Sequence, residues 1–349
     1  MNITRVAAWL ISIALGLALI IVGSEFFIPL FLALFLWYII NGINDSFRRL
    51  PQVDRYCPQW LSLTLSFSFI GLLLYFVGNL IVANVNEFIL TAPNYMGKID
   101  DLLLQVHNLL GRDGLPWTID TIKYGDQLVA NYSILLSGVT SIAKGFFLII
   151  LYVIFLLIEQ GSFHRKIKAM GLTPSQQSRY DRVVSQVNSS MRKYLGVKTF
   201  TSALTAVLSY IVFYAIQLDY AVFWAFLIFL FNFVPTIGSI TATILPGLLA
   251  LLQFDGISQF LVIAIGVSGI QVLVGNIIEP RMMGDTLNIS PLVIVLALII
   301  WSILWGVAGM LLSVPITVMI IIFCAQFPAT RNVAILLSKD GRIGKLEES

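Results

Sequence analysis

Charged side chains are scarce: Asp, Glu, Lys and Arg make up 11% of the 349 residues, against about 25% in soluble domains. That deficit excludes an ordinary soluble fold. Histidine is limited to His107 and His164, and cysteine to Cys57 and Cys324. The cysteines lack the paired spacings of zinc, redox or disulfide frameworks, so no metal site and no disulfide is expected. The sequence has no HExxH and no Gly-rich loop followed by Lys-Ser or Lys-Thr, which removes zinc-protease chemistry and an ATP-driven pump on this chain. A net charge of +3 is too small a surplus to argue for nucleic acid. No cofactor is expected.

What the chain does have is apolar length. Hydrophobic residues reach 58% and gather into runs near the roughly 20 residues that cross a bilayer: 6–22, 26–40, 60–82, 141–158, 199–217 and 257–278. The first run also has the look of a signal peptide. Because the second begins after only Gly23-Ser24-Glu25, the pair reads instead as an uncleaved tight helical hairpin. The expected fold is an all-α polytopic membrane protein with five to six full spans and two opposed re-entrant-like hairpins. Its expected parts are membrane helices one to three (1–82), an extracytoplasmic amphipathic segment (83–140), membrane helix four (141–158), a basic cytoplasmic helical loop (159–198), a transport core (199–326) and a cytoplasmic tail (327–349).

Charge sets the orientation. Residues 83–140 hold six acids and three bases, whereas 159–198 hold eight bases and two acids. Basic loops collect on the cytoplasmic side, so the acidic segment lies outside, and Arg48, Arg49 and Arg55 lie inside. Helix parity then puts both termini in the cytoplasm. In the acidic segment Ile99, Leu102, Leu103, Val106, Leu109 and Leu110 follow a helical stripe that Gly111-Arg112-Asp113-Gly114 ends, as a small docking domain or an interfacial helix pair. In the basic loop, Thr173-Pro174-Ser175-Gln176 fits a capping box with Pro at the first helical position. The stripe Tyr180, Val183, Val184, Val187, Met191 and Leu195 makes it either a coupling arm or a helix resting on anionic headgroups.

Two apolar stretches in the C-terminal third, 220–252 and 288–326, break near their middles, at Asn232-Phe233-Val234-Pro235-Thr236-Ile237-Gly238 and at Trp305-Gly306-Val307-Ala308-Gly309. Halves of about 14 to 17 residues barely cross hydrocarbon, so each reads as a hairpin, the two entering from opposite faces as in many transport sites. Polar residues inside apolar spans are costly unless partnered or wet, and they gather here. Asn232, Pro235, Thr236, Gly238, Ser239, Gln271, Asn276, Glu279 and Arg281 are the candidate substrate pathway. Pro246, Gly284, Gly306, Gly309 and Pro315 are candidate tips and hinges, and Gly309→Leu is expected to abolish transport at normal abundance. For each polar residue the alternative is helix-to-helix hydrogen bonding alone, and Glu279 with Arg281 reads either as a gate or as an interfacial pair. Gly266-Val267-Ser268-Gly269 matches an intramembrane serine protease signature, but no histidine follows residue 164 to act as its base. It reads as a packing face.

The motifs around the first break, Asn276-Ile277-Ile278-Glu279-Pro280-Arg281-Met282-Met283-Gly284, Leu287-Asn288-Ile289-Ser290-Pro291 and Trp305-Gly306 through Ser313-Val314-Pro315 resemble the autoinducer-2 exporter family of bacterial membrane proteins. The resemblance implies a permease-like exporter, with members credited with releasing autoinducer-2 and others with exchanging sodium or lithium for protons. The expected partners are a small polar solute, a coupling cation or proton, and lipid; a homo-oligomer fits as well. A non-transporting scaffold that recruits partners through residues 83–140 and the basic loop is the reading from a different class.

Overall fold

The computed structural model describes residues 3–48, 58–110, 132–284 and 287–341. Arg49, Arg55, Cys57, the Gly111-Arg112-Asp113-Gly114 terminator, Asp285 and the tail after residue 341 lie outside the described residues. Among those described, the chain is helical apart from one isolated bridge between Ile289 and Ser338. The helices are α1 (Ile3–Val22), α2 (Ser24–Arg48), α3 (Gln59–Leu110), α4 (Tyr132–Ala169), α5 (Pro174–Ala215), α6 (Ala221–Phe231), α7 (Ile237–Gln253), α8 (Ile257–Gln271), α9 (Glu279–Met283), α10 (Pro291–Ala325) and α11 (Arg331–Leu337), with a π-helix at Val272–Ile278 between α8 and α9. Six stretches are long and apolar enough to cross a membrane: Ser24–Arg48, Leu61–Phe88, Gly145–Phe163, Pro174–Ala215, Ile257–Met283 and Pro291–Ala325.

Helices run through several expected boundaries. α3 continues from the third apolar run to Leu110, through Pro93 and Gly97, so neither residue ends the helix. α5 joins the basic arm to the fifth run, and it starts on the expected capping box: the Thr173 side chain accepts from the Gln176 N–H while the Gln176 side chain accepts from the Thr173 N–H. The N-terminal pair departs from expectation. Gly23 N–H bonds Leu19 O at 2.8 Å and Phe27 N–H bonds Gly23 O at 2.9 Å, the four-residue spacing of an ordinary α-helix. Those bonds close α1 and open α2 on either side of the Gly23 turn, and the two helices touch little beyond that junction, so they meet at a bend and not as a tight hairpin.

Both C-terminal breaks do reverse the chain. α6 and α7, 11 and 17 residues long, are about 16 and 26 Å of helix and pack side by side. In the second stretch the break sits at Gly306, whose φ of 59° and ψ of −138° belong to glycine territory. A methyl group on Gly309 would lie 2.6 Å from the Trp301 carbonyl carbon. Residues eight apart in a straight helix are about 12 Å apart, so the chain has doubled back. Pro315 lies buried in the returning limb, where the dihedrals stay helical.

The two hairpins approach from opposite ends, with α5 as the ruler. Phe213 and Leu218, at its C-terminal end, share a core with Ile228, Ala242 and Leu249 of the first hairpin. Met191 and Leu195, nearer its start, share one with Val314, Val318 and Ile322 of the second. The tips meet adjacent turns of α2: Phe31 touches Trp305 with ring centroids 5.6 Å apart, and Phe35 touches Phe233 at 5.7 Å. The far part of α3 docks on the base of the first hairpin. The Thr91 and Tyr220 hydroxyls are 2.7 Å apart, and Lys98 donates to Gln253 O and Asp255 at 3.0 and 2.9 Å. Elsewhere α2 is tied to α5 by Tyr38 donating to Asn188 at 2.7 Å and by an Arg192–Asp45 ion pair.

Candidate functional site: a polar cavity beside the first hairpin

α5 carries a polar face through an otherwise apolar stretch. Lys198, Ser202, Thr205 and Ser209 recur at intervals of four, three and four residues, and all are buried. Thr205 folds its hydroxyl onto Thr201 O at 2.8 Å, which satisfies it without a partner helix. Ser202 instead accepts from the Asn232 carboxamide at 3.1 Å, fixing the first hairpin's tip against α5. Beside it Thr236 holds φ at +62°, a rare conformation for a β-branched residue and a mark of local strain. Ser239 and Thr243 follow on α7, their hydroxyls returned to Thr236 O and Ser239 O.

Opposite this face stands the π-helix. Gln271 and Asn276 are five residues apart, which on an α-helix would set them about 140° apart. The widened turn, in which Glu279 N–H bonds Val274 O, swings them toward one side; such π segments recur at functional sites. Gln271 donates to the Thr243 hydroxyl at 3.3 Å. Glu279 reaches back to α5, where Lys198 Nζ donates to both carboxylate oxygens at 2.7 and 3.0 Å and Thr201 donates to one at 3.2 Å. The Lys198 and Glu279 side chains are only 9% and 17% exposed, so each charge depends on the other: stranding one partner of a buried pair costs about 3–5 kcal/mol.

Together these groups line an open cavity of 570 Å³, within the range of small-molecule sites. Seven of the nine pathway candidates line it: Asn232, Pro235, Thr236, Ser239, Gln271, Asn276 and Glu279. Gly238 is not among them; it is buried in the tip turn, where a methyl would fall 2.6 Å from the Phe231 carbonyl carbon. Arg281 is exposed on α9 and does not pair with Glu279, because residues two apart on a helix face different ways. The tip and hinge candidates are elsewhere. Gly306, Gly309 and Pro315 belong to the second hairpin, whose tip is held by Trp305 donating to Ile20 O at 3.1 Å. Pro246 is buried inside α7 and Gly284 ends α9 with φ +56°.

Thr243, one of the polar residues that the sequence places just after the first break, also lines the cavity, and sequence reasoning missed Lys198 and Ser268 as lining residues. Lys198 was counted as one more base of the cytoplasmic loop; the recurring polar positions on α5 were the signal that it points inward. Within the Gly266-Val267-Ser268-Gly269 run, Gly266 packs against Val212, Gly269 faces open space and Ser268 lines the cavity. Among the described residues no group of three or more His, Cys, Asp or Glu side chains could hold a metal ion.

Known proteins resemble this chain over most of its length. A family model described as AI-2E family transporter matches residues 10–329. A putative transport protein of Haemophilus influenzae is 34% identical over 343 residues, 97% of each chain. The AI-2 transport protein TqsA of Escherichia coli is 31% identical over 336 residues, covering 94% of this chain and 95% of that one. The putative transport protein YhhT of Escherichia coli is 27% identical over 332 residues, 94% of this chain and 92% of that one. With its apolar helices, its paired hairpins and a family match over nearly its whole length, this multi-pass membrane protein belongs to the AI-2E transporter family.

Proposed function

We propose that the protein is an inner-membrane secondary transporter that moves a small, polar, uncharged solute outward through the cavity between the first hairpin, α5 and α8. The carrying observation is the lining. Asn232, Thr236, Ser239, Thr243, Gln271 and Asn276 offer hydroxyl and carboxamide groups, while the lining's two charges, Lys198 and Glu279, neutralise each other. Such a wall hydrogen-bonds hydroxyls and carbonyls without a net charge to trap a cation or anion. An AI-2-like signal is the first solute to test, since the relative TqsA is named for AI-2 transport. Helices as short as α6 and α7 support a hairpin that ends within the bilayer and leaves the cavity beside its tip.

The test is flux from vesicles loaded with AI-2 and with small polyols. Asn232→Ala with Gln271→Ala should abolish protein-dependent efflux while membrane abundance holds. Efflux that survives this pair, with loss only on deletion within 83–140, would favour the scaffold reading instead. A sodium or lithium/proton antiporter is the second reading, favoured by one observation, the buried Lys198–Glu279 pair. Sodium-dependent proton movement in everted vesicles, abolished by Glu279→Gln, would select it.

The orientation we propose places the start of α5, Arg48 and the residues after α10 in the cytoplasm, with the far end of α3 and the 254–256 turn outside. Single cysteines at Asp100 and Asp255, with Cys57 and Cys324 replaced, should react with an impermeant reagent from outside, and one at Met170 only after permeabilisation. The bend at Gly23 removes the reversal on which a cytoplasmic N-terminus rested, so a terminal tag must locate it separately.

A further inference from the structure

A second concave site lies where α5 begins and α10 finishes, remote from the transport cavity. It has a volume of 260 Å³, and its polar lining is Arg179, Arg182, Gln326, Arg331 and Asn332. No carboxylate lines it. Arg179 and Arg182 are three residues apart and share one face of α5. Asp181, between them in sequence, faces elsewhere, with both carboxylate oxygens accepting from the Gln177 carboxamide at 3.0 and 3.2 Å. Arg331 and Asn332 come from the opposite wall, beyond the turn that ends α10, and that turn is shaped by Thr330 donating to Cys324 O at 2.9 Å. Arg179 is held over the Phe327 ring, 5.5 Å from its centre, a stacking that keeps the guanidinium edges available.

We infer that this pocket binds a phosphate group. Three guanidinium forks and two carboxamides converge from two walls, the donor geometry that suits a tetrahedral oxyanion bidentately. A carboxylate would use fewer of these donors, and a cation is repelled by Arg179 and Arg182. The pocket also sits where the 35-residue apolar α10 ends, the level at which a spanning segment gives way to headgroups. The same chemistry therefore has two sources, the phosphodiester of an anionic phospholipid or a free phosphate or pyrophosphate. The site does not depend on what the transport cavity carries.

The full-length protein in phosphatidylcholine nanodiscs distinguishes them through its thermal unfolding midpoint, read without any flux assay. In one arm phosphatidylglycerol replaces a rising fraction of the phosphatidylcholine; in the other, phosphate or pyrophosphate is added at matched ionic strength against chloride. A midpoint rise of several degrees in either arm is expected, and the arm identifies the source. The rise should vanish in the Arg179→Gln, Arg182→Gln, Arg331→Gln triple variant. Should that variant not fold, Arg182→Lys with Arg331→Lys keeps the charge, loses the planar forks and should lose at least half of the rise. No rise in either arm, or a rise that both sets of substitutions leave intact, overturns the site.

Discussion

A single methyl group at either hairpin tip should be enough to disturb the fold. On Gly309 it would sit 2.6 Å from the Trp301 carbonyl carbon and 3.1 Å from Trp305 Cβ, and on Gly238 it would sit 2.6 Å from the Phe231 carbonyl carbon. The Trp301 and Phe231 carbonyl oxygens would lie nearer still, and even non-bonded carbons prefer about 3.5–4.0 Å, so each tip would have to open by more than about 1 Å. The obstructing atoms are backbone, which no rotamer change can move aside. Overpacking of this kind costs about 1–3 kcal/mol, and several degrees of melting midpoint follow. Gly309→Leu at normal abundance, expected on the sequence alone, does not survive this geometry, because bulk at the tip acts on the turn before it acts on transport. The informative experiment is Gly238→Ala and Gly309→Ala beside Gly269→Ala, whose added methyl meets nothing within 4 Å and should gain about 0.5–1 kcal/mol from helix propensity. Midpoints are measured in detergent on purified protein. Both tip variants should fall by several degrees while Gly269→Ala holds or rises. Unchanged midpoints in the tip variants would refute the close approach, and with it the doubled-back second hairpin.

Three further outcomes are expected. Lys198→Met strands Glu279 and should cost about 3–5 kcal/mol; adding Glu279→Gln should recover most of that stability without restoring flux, and a double variant no more stable than the single would show that the two charges do not depend on each other. Thr236→Gly removes the positive-φ strain and should gain about 1 kcal/mol after glycine's own entropy cost, so a lower midpoint would contradict a strained tip. Tyr220→Phe deletes the hydrogen bond to Thr91, worth about 1 kcal/mol, and should speed amide exchange across 88–98 several-fold; unaltered exchange would mean that α3 is held there by other contacts.

How far the sequence can be read depends on whether a signal is local. The Thr173 capping box lies within four residues and predicts the start of α5 directly. Breaks at 232–238 and 305–309 are equally local, although a proline alone does not make one, since Pro29, Pro246 and Pro315 sit inside helices that continue. Glu279 pairing with Lys198 is different in kind: the partners are 81 residues apart, and a lysine at the edge of a basic loop looks like a topology signal until its helical neighbours Ser202, Thr205 and Ser209 are placed on one face. The π-helix is invisible as well, since Val272-Leu273-Val274-Gly275-Asn276 has nothing to distinguish it from an α-helical run. Its hydrogen-bond register is set by what packs around it. At Gly23 the local signal was half right: the Gly-Ser-Glu interruption does end one helix and start another, but the two meet at a bend and do not fold back on each other.

α3 is continuous for 52 residues, about 78 Å, and that length gives it leverage. Its apolar stretch Leu61–Phe88 lies in lipid on the proposed orientation, while Thr91 and Lys98 grip the loops at the base of the first hairpin. Thr91, which precedes Pro93, is about 29 Å beyond a pivot at Leu72, so a tilt of about 10° would carry it about 5 Å sideways. Spanning helices take up differences in bilayer thickness partly by tilting. On the proposed orientation, a change of membrane composition would reach the base of the first hairpin through this one helix as a displacement, or a load, with no ligand and no chemical modification involved.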